Sequence, residues 1–156
     1  MFSEQDFFWM RKAIQLAKQA AKQDEVPVGA VLICNDQLIA QGRNCPISET
    51  DPTAHAEIIA LRQGAKNNGN YRLVHSTLYV TLEPCLMCVG AIVHARVKRV
   101  VFGANDLKSG AVHSVFQLGQ AQQLNHRVEY QGGLFKEDCG QLLTQFFRKK
   151  RDFILF

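Results

Sequence analysis

Two short stretches hold the side chains best equipped for chemistry. Residues 53–61 read TAHAEIIAL, with His55 and Glu57 two apart, and residues 82–88 read LEPCLMC, with Pro84 leading into Cys85 and Cys88. On a helix, positions two apart diverge by roughly 200°. His55 and Glu57 therefore cannot face one target from the side of a helix, but both can reach it from the tip. Cys85 and Cys88 are three apart and share nearly one helix face. Pro84 suits the first helical position, where no N–H is needed. In a first turn the helix dipole favours the thiolate, which is the form that zinc binds. His55 adds a third ligand of suitable softness, and three protein ligands leave a tetrahedral position open for water, as in catalytic zinc sites. Glu57 then stays unligated and free to move protons to and from that water.

Each piece has a plainer reading by itself. His55 suits a hydrogen-bonded buried histidine, and Glu57 a first-turn acid facing the helix dipole. One CxxC is compatible with redox chemistry or with half of a structural zinc site. A closed structural site needs a fourth ligand, for which Cys34, Cys45, Cys139 and His94 are the candidates. None of these has a motif around it, and Cys34 falls in a predicted core strand. A thioredoxin-like role for the CxxC leaves His55 and Glu57 without work.

The elements around these stretches follow from pattern and punctuation. Ser3 and Asp6 predict a capped first helix running to about Lys22, with Met10, Ala13, Ala17 and Ala20 or Ala21 on one face. Residues 28–34 (VGAVLIC) read as a buried strand, Asn35-Asp36 as a turn, and residues 38–44 as its hairpin partner. A loop over 44–52 ends at Thr53, the expected cap of a helix over 55–66. Further elements are a strand over 76–82, a helix over 84–94 and a strand over 99–104. A long loop over 105–125, a short strand near 127–130 and a last helix from about Lys136 complete the chain. The strand–helix–strand run implies a parallel pair with a right-handed crossover. The early hairpin adds antiparallel strands, so a mixed sheet with helices on both faces is expected.

The chain has 156 residues, enough for one domain with a substantial core. Apolar residues make up 47% and charged residues 21%, as in ordinary soluble proteins. No apolar run approaches the ~18 to 20 residues of a membrane helix, and the opening MFSEQDFFWMRK lacks the apolar segment of a signal peptide. Five cysteines are an odd and sparse set, which favours a reducing cytoplasm. Of the net charge of +4, +3 falls on residues 146–156, FFRKKRDFILF. Such a tail suits phosphates, with aromatics for base stacking. It also suits a solvated helix end whose cations complement the dipole.

The order H-x-E…P-C-x-x-C is the signature of zinc-dependent nucleobase deaminases. Beyond it, the chain resembles the bacterial tRNA-specific adenosine deaminases over nearly its full length. The resemblance is carried by EVPVGAVL, DPTAHAEIIALR, YVTLEPCLMC, VVFGANDLKSGA, NHRVE and FFRKKR. It implies an α/β fold of the cytidine deaminase-like kind, three layers α/β/α around a mixed five-stranded sheet, and a homodimer. It implies one zinc ion per chain on His55, Cys85 and Cys88, with Glu57 catalytic, and conversion of the wobble adenosine of an arginine tRNA to inosine. Asn44 and Asp106 match residues that contact the bound nucleotide, and Val28 and Asn125 match the base pocket or its rim. Lys108, Ser109, Phe147 and Arg148 match the surface along the anticodon stem–loop, which moves the basic tail towards RNA contact. One position departs from the pattern: His113 stands in GAVHS where the family usually has a small residue.

Overall fold

Alternation along the central strands sets the architecture of the computed structural model, which describes residues 1–154. In β1 (Gly29–Cys34), Ala30 and Leu32 point to one face and Val31 and Ile33 to the other. In β3 (Ser76–Leu82), Leu78 and Val80 share the first face and Tyr79 the second, as do Val100 and Phe102 against Val101 in β4 (Arg99–Ala104). A strand buried on both faces needs a layer on each. Helices α1 (Glu4–Lys22) and α4 (Lys136–Ile154) cover the Val31 face, and α2 (Ala56–Asn68) and α3 (Leu86–His94) cover the Leu32 face.

With β2 (Gln37–Arg43) and β5 (Glu129–Gly132), the sheet runs in the order β2-β1-β3-β4-β5. β1 is antiparallel to both β2 and β3, whereas β3–β4 and β4–β5 are parallel. This is the expected mixed five-stranded α/β/α sandwich, with α3 making the crossover between β3 and β4. The capping box of α1 is present: Asp6 N donates to Ser3 Oγ at 3.1 Å and Ser3 N to Asp6 Oδ2 at 3.0 Å. The expected Met10, Ala13, Ala17 and Ala20 face is fully buried.

Several boundaries differ from expectation for identifiable reasons. Thr53 does not cap α2: its N–H and hydroxyl both donate to Asp51 Oδ1, at 2.8 and 2.7 Å. The N-cap residue is His55, and the N–H of Ala56 is satisfied by Asn44 Oδ1 at 2.8 Å, a contact from twelve residues back. Pro84 precedes α3 rather than opening it, because Cys85 takes the N-cap position. β5 lies two residues later than the expected 127–130, and the long loop contains one 3-10 turn at Leu118–Gln120. Cys34 is half-buried at the end of β1, not a core residue.

Candidate active site

The site forms where the tips of α2 and α3 meet. His55 and Cys85 are the N-cap residues of the two helices, and neither side chain makes a capping hydrogen bond. N-cap side chains normally turn back onto the helix's own N–H groups. Here both turn to each other instead. His55 Nδ1 lies 3.5 Å from Cys85 Sγ and 3.6 Å from Cys88 Sγ. All three ligand atoms lie within 4.8 Å of one another. A tetrahedral zinc with Zn–N near 2.0–2.1 Å and Zn–S near 2.3 Å requires N···S separations of about 3.6 Å. Both N···S distances match that requirement.

The electrostatics suit a cation as well. The Cys85 thiol is brought down to about 4, first because the Cys88 S–H donates to it and then, against the effect of burial, because His55 does. Cys88, donating to that sulfur and buried, is pushed upward. The pair thus holds one negative charge readily, and a divalent ion is what would take the second proton's place. His55 is raised by its hydrogen bond to Cys85, with burial opposing.

Glu57 is 4% exposed, in the first turn of α2. Burial pushes its carboxyl up to about 7. His55 and Glu57 both stand at the tip of α2, as the spacing predicts, and the tip of α3 brings Cys85 and Cys88 to His55.

Asn44 is tied to the residue that follows His55. Its N–H donates to the carbonyl of Val28 at 3.1 Å, and its Oδ1 is held by Ala56 N. The side-chain oxygen is thereby used, which leaves the Asn44 amide group as a donor. Val28 is 4% exposed. Asp106, Lys108 and Ser109 lie in one turn after β4, where Asp106 Oδ1 accepts from Lys108 N at 3.0 Å and Ser109 N at 3.1 Å. An antiparallel bridge between Cys85 and Gly110 ties that turn to the segment that carries the two cysteines. Asn125, Phe147 and Arg148 are exposed on the approach to β5 and on α4. No hydrogen bond among the described residues links these three to the His55 cluster. The tail reading also included Leu155 and Phe156, which lie outside the described residues.

Two buried carboxylates near the site escaped the sequence reading. Glu25 is 1% exposed and accepts from Ile47 N at 3.2 Å and Ser48 N at 2.8 Å, fixing the loop after Asn44. Glu83, 2% exposed, gathers the loop after Asp106. Nothing in their spacing announces a loop anchor. The only signal is an acid placed among apolar strand ends, where a buried charge must find donors.

A five-stranded sheet in this order, with His55, Cys85 and Cys88 at two helix tips and a buried glutamate beside them, defines a deaminase, and residues 4–151 match the family of MafB19-like deaminases. Within that class the chain belongs to the tRNA-specific adenosine deaminases. It is 54% identical to the tRNA-specific adenosine deaminase of Haemophilus influenzae, over 96% of this chain and 87% of that one. Identity to the Bacillus subtilis tRNA-specific adenosine deaminase is 45%, over 94% and 91% of the two chains. Among solved structures, one from a study of A-to-I editing by tRNA:A34 deaminases superposes with a TM-score of 0.85 at 39% identity, over 87% of this chain and 99% of that one. Guanine deaminase from Bacillus subtilis matches with a TM-score of 0.62 at 39% identity, over 67% and 66% of the chains.

Proposed function

We propose that residues 1–156 form a single deaminase domain that hydrolyses the wobble adenosine of a tRNA anticodon, in an arginine tRNA, to inosine and ammonia. The observation that carries this reading is the His55–Cys85–Cys88 triangle with buried Glu57 beside it. The donor set of one imidazole and two thiols suits zinc. When bound, zinc supplies a Lewis acid that makes water nucleophilic near neutral pH.

The chain's own residues do the rest. Glu57 takes one proton from the attacking water and delivers it to the ring nitrogen beside carbon 6; it then takes the proton of the new carbon-6 hydroxyl and passes it to the amine, so that the C–N bond breaks, ammonia leaves and the carbonyl of inosine forms. Asn44, its oxygen occupied by Ala56 N, offers its amide N–H to the nucleotide, and Val28 and Asn125 bound the base. Asp106, Lys108 and Ser109 meet the backbone beside the target, while Phe147 and Arg148 meet the stem–loop. An anticodon loop suits this arrangement because its bases are unpaired and can be turned out into a pocket. The same reading places the enzyme in the cytoplasm as a homodimer, a state supported by the family resemblance. Among the described residues no helix is long and apolar enough to cross a membrane.

The test is inosine formation in an arginine tRNA anticodon stem–loop, run beside free adenosine, guanine and cytidine. Inosine in the RNA only, lost by at least ~10²-fold in Glu57→Ala with zinc retained, is the expected result. Turnover of a free base with an inert RNA would overturn the substrate assignment while leaving the zinc chemistry standing. Unimpaired Glu57→Ala would overturn the role of Glu57.

A further inference from the structure

Glu83 directly follows β3, two residues before Cys85, and its carboxylate is bonded to a loop. Its Oε1 accepts from Asp106 N at 3.1 Å. Its Oε2 accepts from Val112 N at 3.1 Å, His113 N at 3.0 Å and Ser114 N at 3.0 Å. The Ser114 hydroxyl also donates to Oε1. One buried carboxylate thus holds both arms of the 106–114 loop, the outgoing arm at Asp106 and the returning arm at Val112–Ser114. Backbone links reinforce the same junction: Glu83 N donates to Ala104 O at 2.8 Å and Ala111 N to Pro84 O at 2.9 Å. Gly110 is where the chain passes over the carboxylate, since a Cβ there would lie 2.5 Å from Glu83 Oε1.

We infer that Glu83 is the positioning residue that sets the substrate-facing loop relative to the metal ligands, so that the RNA contacts made by Asp106, Lys108 and Ser109 are in register with the reacting base. This rests on the proposed tRNA function for its substrate, but not for its geometry. A buried carboxylate taking four N–H donors and a hydroxyl makes charge-assisted bonds that are roughly twice as strong as neutral ones. Charge is needed, because every partner is a donor. Glutamine in its place keeps the shape but turns an NH2 group towards N–H groups, which leaves donors unpaired. On the exposed side of the loop Leu107, Lys108 and Ser109 face solvent, and the turn is closed by Asp106 Oδ1. His113 adds one cross-loop contact, its Nε2 lying 3.2 Å from Asn105 Oδ1.

The test is Glu83→Gln, examined by amide hydrogen exchange and by steady-state kinetics on the stem–loop. The expected result is at least a tenfold faster exchange at Asp106, Val112, His113 and Ser114, with amides of β3 and α2 and the zinc content unchanged. KM for the RNA rises about tenfold while kcat stays within about threefold. In the Glu83→Gln background Lys108→Ala raises KM less than it does in the wild type, because the loop that presents Lys108 is already out of register. Unchanged exchange in the loop, or a fall in kcat with KM unchanged, overturns the inference. Should Glu83→Gln fail to fold, Ser114→Ala removes one donor and is read in the same way, with a smaller rise in exchange and KM. If wild-type protein turns over a free base and not the RNA, the functional reading fails, and the exchange measurement still decides the role of Glu83.

Discussion

Arg99, at the start of β4, grips Asp6, in the first turn of α1, with both arms of its guanidinium: Nη1 to Oδ1 is 2.8 Å and Nη2 to Oδ2 is 3.0 Å. Tyr79 adds its hydroxyl to Asp6 Oδ1 at 2.7 Å, and Asp6 is 2% exposed. The capping acid of the first helix therefore also ties that helix to two strands of the sheet. Burial alone would raise the Asp6 carboxyl, but Arg99, Ser3 N and Tyr79 together hold it well below the usual carboxylate range. A carboxyl lowered by folding stabilises the protein fully above its unfolded value near ~4, begins to lose that contribution as pH falls below it, and has lost it once pH has passed the folded value. Asp6→Asn is expected to cost about 3 kcal/mol at pH 7, because it leaves the Arg99 charge half-buried without its partner. Urea unfolding of both proteins between pH 7 and pH 3 checks this: the gap should narrow on acidification, and a constant gap would contradict it.

His55, Cys85 and Cys88 make a separate prediction about the metal. Wild-type protein should hold one zinc per chain and gain about 2.7 kcal/mol of stability when free zinc stands at 100 times its Kd. Cys88→Ser should bind substoichiometric zinc and show little of this gain, with deamination reduced at least ~10²-fold. Elemental analysis paired with thermal unfolding, with and without chelator, reads both quantities. Full zinc occupancy in Cys88→Ser would remove that thiol from the ligand set.

Gly42 controls how closely α2, and hence the site, approaches the sheet. A Cβ at this position would lie 2.4 Å from Ala56 O and 2.8 Å from Ala60 N, so the helix backbone rests directly on the strand. Gly42→Ala should destabilise by about 1–3 kcal/mol. It should also lower kcat more than KM is changed, because the displaced segment carries His55 and Glu57. Chemical denaturation and single-turnover rates on the stem–loop measure the two effects. An active, fully stable variant would mean that the strand yields instead of the helix.

The meeting of His55, Cys85 and Cys88, with Glu57 buried in the first turn of α2, was legible in the sequence because it depends on local spacing at helix tips. So were the buried strands, whose apolar runs persist wherever both faces are covered. The partner of the first N–H of α2 was not, because Asn44 reaches Ala56 across a loop and only the folded hairpin brings them together. Glu25 and Glu83 were hidden for the same reason: each serves backbone N–H groups more than twenty residues away. Local patterns report periodicity and caps, whereas loop anchors are tertiary features.

The basic tail divides once its contacts are known. Lys150 Nζ lies 3.3 Å from Asp24 Oδ1 and over the Phe146 ring at 5.6 Å, so it joins α4 to the end of α1. Arg148, Lys149 and Arg151 are exposed and form no ion pair among the described residues. Phosphate contact should therefore come from these three and not from Lys150. Each phosphate-bound cation contributes roughly 0.7 to the slope of log affinity against log salt for a single strand. Replacing Arg148, Lys149 and Arg151 together by Ala should flatten that slope by about 2 if all three engage, and raise KM for the stem–loop with kcat nearly unchanged. Lys150→Ala should leave the slope nearly unaltered and lower stability by no more than about 1 kcal/mol, as expected of an exposed pair. Stem–loop affinity titrated from low to moderate salt separates these outcomes. An unchanged slope in the triple variant would return the tail to a solvated helix end and shift RNA binding onto the 106–110 turn.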